Sequence, residues 1–147
     1  MNYQELKNKD LRFGNLSEAE IHSKLEAIFG TLKNTSENCE MGKYYEFDKY
    51  NDNFMIEIKT RKINHNQYPT LIFGENKLIK GDEILKNNPN IRIFYLWRCN
   101  DMFVGWEHRK TEFSVCEMGR YDRGRAELHN CVNVLQKYIK PLDELLK

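Results

Sequence analysis

Asp48 is followed, after eight residues, by Glu57-Ile58-Lys59, and Glu18 lies further upstream. Two carboxylates on neighbouring strand positions present hard oxygen ligands to Mg²⁺, a cation that keeps several of its waters. A metal held in this way polarises a phosphodiester and lowers the pKa of a bound water. A lysine beside it supplies a fixed positive charge that orients the nucleophile or stabilises the charge building on phosphorus. These are the components of a metal-dependent nuclease. The spacing alone is weakly specific, because Glu-x-Lys also occurs as Glu5-Leu6-Lys7 and Glu75-Asn76-Lys77. A surface cross-strand ion pair, with Asp48 as a turn residue, accounts for the same pattern.

The elements that carry these residues can be read from periodicity. Residues 17–32 predict a helix, with Ser17 as N-cap, Glu18 and Glu20 in the first turn and Gly30 near the end. Ile21, Leu25, Ile28, Phe29 and Leu32 form one apolar stripe. An advance of ~100° per residue sets Glu18 near the centre of that stripe, on the core-facing side. Residues 44–48 and 54–59 predict the strands of a β-hairpin around a turn at 50–53. In the second strand Phe54, Ile56 and Ile58 share one face, and Met55, Glu57 and Lys59 the other. The interval is short, and a different placement of the turn makes Asp52 a rival to Asp48.

Downstream, residues 68–74 fit a strand or an extended loop, and 76–87 a helix that stops before Pro89. Residues 91–97 are strongly β-prone, with 102–108 returning as their partner. Residues 128–134 fit a strand, and 138–146 a short helix restarted at Pro141. This order predicts an α/β (α+β) fold, one mixed sheet in a single domain spanning 1–147.

Composition bounds the function. Net charge is +1, with 23 Lys and Arg against 22 Asp and Glu, so binding to a polyanion must come from local charge. Residues 17–57 are acid-rich, and 59–80 hold five basic residues against Glu75 alone. The absence of a long apolar run or a signal-like N-terminus predicts a cytoplasmic chain without a membrane partner. Cys39, Cys99, Cys116 and Cys131 lie far apart without a C-x-x-C pair, so no zinc site is expected.

The run Glu18, Asp48, Phe54-Met55-Ile56-Glu57-Ile58-Lys59-Thr60-Arg61 resembles the PD-(D/E)xK nuclease superfamily. Ser17-Glu18-Ala19-Glu20-Ile21 is similar to the helix start of archaeal-type Holliday-junction resolvases. Tyr68-Pro69-Thr70, Lys77 and Tyr121-Asp122-Arg123-Gly124-Arg125 are similar to stretches of uncharacterised nuclease-like proteins of phages and large DNA viruses. Phe47 stands where the superfamily name has proline. The resemblance implies a restriction-endonuclease-like mixed sheet flanked by helices and a Mg²⁺-dependent endonuclease, with Mn²⁺ able to substitute. Its substrate would be DNA, branched or otherwise structured. Asp48 and Glu57 would hold the metal with the Ile58 carbonyl, Glu18 would complete the shell or hold a second ion, and Lys59 would position the attacking water. The superfamily also contains modules that have lost catalysis, which makes a nuclease-fold binding or assembly module the alternative.

Around this core, Arg61, Lys62 and Lys77 are candidates for phosphate contacts, and Arg120, Arg123 and Arg125 for a basic clamp. Lys80 joins the first set, for which a solvated polar face is the competing role, and pairing with Asp122 or Glu127 competes for the arginines of the clamp. His65 is placed to meet the scissile phosphate or a metal-bound water, and Tyr68 to stack on a base. Trp97 and Trp106 suit the core or a homodimer interface.

Overall fold

The computed structural model describes residues 16–35, 47–120 and 127–147. Helix α1 (Glu18–Phe29) starts at Ser17, whose Oγ accepts the Glu20 amide at 3.1 Å and donates to the Glu20 carboxylate at 3.2 Å. The cap satisfies a donor that the first turn leaves orphaned. Gly30 ends the helix at φ +83°, a left-handed conformation that is cheap only without a Cβ.

In chain order, the strands among the described residues are β1 (Lys33–Asn34), β2 (Lys49–Tyr50), β3 (Phe54–Thr60), β4 (Thr70–Gly74), β5 (Arg92–Arg98), β6 (Phe103–Glu107), β7 (Phe113–Arg120), β8 (Glu127–Leu135) and β9 (Lys140–Pro141), with helix α2 (Glu75–Asn87) after β4. One sheet runs β1-β2-β3-β5-β6-β9 and a second β4-β8-β7. Among the described residues only β3 and β5 pair in parallel, from Phe54 opposite Arg92 to Thr60 opposite Arg98. Parallel neighbours need a crossover, and β4 with α2 supplies it. The fold is therefore mixed α+β.

The alternation along β3 separates two cores. Phe54, Ile56 and Ile58 face α1, where Ile21, Leu25 and Phe29 meet Phe94 and Leu96. Met55 faces the other way, toward α2 and the small sheet, with Phe73, Tyr95, Trp97, Trp106 and Val132. There Phe73 stacks on Tyr95 at 4.1 Å, and the Trp97 indole donates to the Ile72 carbonyl at 2.9 Å. Such ring pairs contribute about 0.5–1.5 kcal/mol beyond the area they bury.

Several expectations change. Within residues 68–74, Thr70–Gly74 forms strand β4 and the two residues before it do not. The tail is two single 3-10 turns, Gln136–Tyr138 and Leu142–Glu144, around β9. A segment this short does not sustain a helix alone, and Pro141 sits on an edge strand, where its missing N–H costs no ladder bond. Trp97 and Trp106 are interior, on central strands, so their rings are closed to a dimer partner. Cys116 and Cys131, distant in sequence, stand opposite each other in the β7–β8 register. Among the described residues no helix is long and apolar enough to cross a membrane.

Candidate active site

Glu57 occupies the inward face of β3 at its midpoint and is 3% exposed. The surface ion-pair reading therefore does not describe it. Lys59, two residues on and on the same face, brings Nζ to 3.3 Å from Glu57 Oε1. Lys77 reaches the same oxygen from the first turns of α2, at 3.7 Å. Oε2 is buried and has no hydrogen-bond partner among the described residues. Burial, reinforced by the charge of Asp48, pushes the Glu57 carboxyl up to about 7, against the pull of Lys77 and Lys59.

Asp48 enters from the neighbouring strand. Its amide donates to the Ile56 carbonyl at 2.9 Å, although Ile56 is already the partner of Lys49. Asp48 is thus an extra residue in the ladder, as in a β-bulge, a device that re-aims a side chain. Its carboxylate accepts the Ile58 amide at 2.8 Å, in place of a backbone carbonyl. Thr35 fixes the other side of the residue, donating its amide to the Asp48 carbonyl at 3.0 Å. Asp48, and not Asp52 in the following turn, is the acid held beside the Glu57-Ile58-Lys59 backbone.

Glu18 departs from expectation. It lies one turn before Ile21, on the same side of α1, yet is exposed rather than buried, although Leu16 just before the helix is buried in the same cluster. Its surroundings are an open cavity of about 720 Å³ whose wall includes Asp48, Ile58, Thr60 and Arg98. Glu57 and Lys59 are not on that wall; they project from the opposite face of β3. The four predicted positions fall into two pairs, Glu18 with Asp48 and Glu57 with Lys59, joined where Asp48 bonds the Ile58 amide. Among the described residues no set of three or more His, Cys, Asp or Glu side chains is clustered as a metal cage.

The remaining predicted contacts separate as well. Lys77 turns inward to Glu57. Lys62 is exposed and Arg61 half-buried, its amide donating to the Arg98 carbonyl at 2.9 Å. His65 is tied into a loop, with Nδ1 at 2.7 Å from Asp101 and its carbonyl accepting from Gln136 at 2.6 Å. Tyr68 is 53% exposed. Arg123 and Arg125 lie outside the described residues, as does the side chain of Arg120, the last residue of β7.

Sequence reasoning missed three features of this region. Lys77 belongs to the Glu57 cluster, but no linear spacing links a helix to a strand twenty residues away. Arg98 reaches the cavity because β5 pairs with β3 in register, and it also donates to the Leu16 carbonyl at 3.0 Å. Lys49, buried, bonds His22 at 2.9 Å and Asn34 at 2.7 Å on the cavity wall; its alternation with Tyr50 was the available signal. Family models, curated proteins and solved structures give no match to this chain.

Proposed function

We propose that the protein is a metal-dependent nuclease of the PD-(D/E)xK type acting on DNA, centred on Asp48, Glu57 and Lys59. The observation that carries this reading is the buried Glu57 carboxylate, with one oxygen unbonded among the described residues, beside Lys59 and within the field of Asp48. A divalent cation fits this donor set. It offsets the repulsion between Asp48 and Glu57 and gives Oε2 the partner it lacks. Asp48 and Glu57 would hold the ion with the Ile58 carbonyl, and Glu18, on the cavity side with Asp48, would join only by way of Asp48 or a bound water. When bound, such an ion polarises a phosphodiester oxygen and lowers the pKa of water.

This chain's own groups do the rest. The Asp48–Ile58 hydrogen bond fixes one carboxylate against the strand that carries the other. Lys59, one-third exposed, presents its ammonium to solvent as well as to Glu57, so it can meet a phosphate and orient water in line with phosphorus. Lys77, more enclosed, keeps positive charge beside Glu57 after Lys59 has turned toward substrate. The test is cleavage of labelled duplex, single-strand, flap, four-way-junction and RNA substrates in Mg²⁺ or Mn²⁺. Wild type is expected to cut at least one DNA, and Asp48→Ala, Glu57→Ala and Lys59→Ala to cut none. Wild-type rates in all three variants would refute the proposal.

One observation favours a nuclease-fold binding module without turnover: both lysines already neutralise Glu57 in the absence of metal. That reading expects salt-sensitive DNA binding that is indifferent to Mg²⁺.

A further inference from the structure

Near the N-terminal end of β5, away from Glu57 and Lys59, lies a second cavity of about 220 Å³. Among the described residues, its wall carries five cations, Arg92, Arg109, Lys137, Lys140 and Lys147, against two carboxylates, Glu107 and Glu112. Both carboxylates are engaged by the protein. Glu112 accepts the Trp106 indole N–H at 3.1 Å. Glu107 accepts a two-pronged bond from Arg92, at 2.9 and 2.7 Å, and one from Arg109 at 3.3 Å.

Glu107 acts as a template. It sets two guanidinium groups side by side, which their mutual repulsion would otherwise oppose, and Arg92 is further fixed over the Phe94 ring at 5.3 Å. Lys137 lies over the Tyr138 ring at 5.0 Å, and Lys140 is held by the β6–β9 pairing, opposite Gly105. The local field is positive enough that Glu107 stays ionised below the usual carboxylate range. Burial works against this, and the Arg92 hydrogen bond with the charges of Arg109, Arg92 and Lys140 overcomes it. The guanidinium N–H groups that Glu107 leaves unused, held in place and flanked by ammonium groups, suit the recognition of phosphate.

The geometry points to this cavity as a binding site for a phosphate-bearing ligand, with Arg92 and Arg109 as fixed anchors and Lys137 and Lys140 as the outer contacts. The assignment shares no residue with the carboxylate–lysine site and holds whether or not that site is catalytic. The phosphate can come from a nucleic-acid backbone or from a free polyphosphate, and the test separates the two.

Binding of a fluorescent duplex oligonucleotide, and calorimetric binding of inorganic tripolyphosphate, are measured without divalent metal for wild type, Lys137→Ala/Lys140→Ala and Arg109→Ala. The lysines are exposed, and unchanged thermal unfolding verifies the fold of each variant. If the source is nucleic acid, the lysine pair weakens duplex binding about tenfold or more and flattens the slope of log K against log salt by about 2. If it is a free polyphosphate, tripolyphosphate affinity falls at least tenfold in both variants while duplex binding holds. Failure of wild type to bind either probe, or variant affinities within twofold of wild type for both, would overturn the assignment.

Discussion

Glu57 and Glu107 are both sheet carboxylates flanked by two cations, yet their chemistry diverges. Glu107 is gripped by a guanidinium fork that satisfies both its oxygens, and it is held ionised below the ordinary range. Glu57 is deeper, meets two ammonium groups on one oxygen only, and is pushed up to about 7 by burial and by Asp48. The comparison separates charge count from charge satisfaction. Planar, bidentate pairing at a partly hydrated position closes a carboxylate, whereas point charges on one side of a buried carboxylate leave it open to a further ligand.

The largest expected effect lies on catalysis. Glu57→Gln and Asp48→Asn should each lower DNA cleavage at least ~10³-fold, the scale of losing a preorganised charge at the reacting phosphate. Glu107→Gln should act on binding at the other end of the sheet and not on the cleavage step, leaving the single-turnover rate at saturating DNA within about twofold of wild type. Single-turnover rates check both. Equal losses at the two positions would erase the distinction between open and closed carboxylates.

Next in size is stability, with opposite signs. Glu57 has a folded pKa near 7 against an ordinary 4.5, so between those values the folded state binds more proton than the unfolded chain. Its contribution therefore declines as pH rises from about 4.5 to 7 and stays at its lowest above. In metal-free buffer at pH 8, Glu57→Gln should stabilise the protein by as much as ~3 kcal/mol, an advantage that vanishes below pH 4. Glu107 runs the other way. Its depressed pKa gives stability that is present at neutral pH and lost on acidification, so Glu107→Gln should cost about 1 kcal/mol at pH 7. Thermal unfolding from pH 4 to 8 resolves both, at roughly 3 °C per kcal/mol for a chain of this size. Destabilisation by both variants at pH 8 would contradict the contrast.

The smallest effect concerns Lys77. Its charge lowers the Glu57 pKa, so Lys77→Met should raise that pKa further and move the acidic limb of the pH–rate profile to higher pH by less than about one unit. An unmoved limb would mean that Lys77 has no electrostatic hold on Glu57.

How much of this was legible follows the physics of each signal. Helix α1 could be read because cap, stripe and terminator are local, and β3 because alternation assigns its two faces without knowledge of the partner. Glu18 shows the limit of a helical wheel, which reports direction around the axis but not whether anything packs against that turn; here an open cavity lies over it. The bulge at Asp48 has no sequence mark, although it decides which acid lies beside Ile58. Lys77 and the Arg92–Glu107–Arg109 cluster are products of tertiary assembly. They depend on the crossover through α2 and on β5–β6 pairing, which no spacing along the chain encodes. The 138–146 stretch failed for a related reason: its apolar residues serve as anchors for an edge strand, where packing overrides helical propensity.

The most direct test of the central claim is calorimetric titration of Mg²⁺, or of Ca²⁺ as a non-catalytic substitute, into wild type and Glu57→Gln at pH 8, followed by addition of labelled DNA to the same samples. The expected result is saturable metal binding by wild type, its loss in Glu57→Gln, and DNA cleavage only where Mg²⁺ binds. Equal metal binding by both proteins, or DNA cleavage by Glu57→Gln at the wild-type rate, would contradict the assignment of Glu57 as the metal-binding carboxylate of a nuclease.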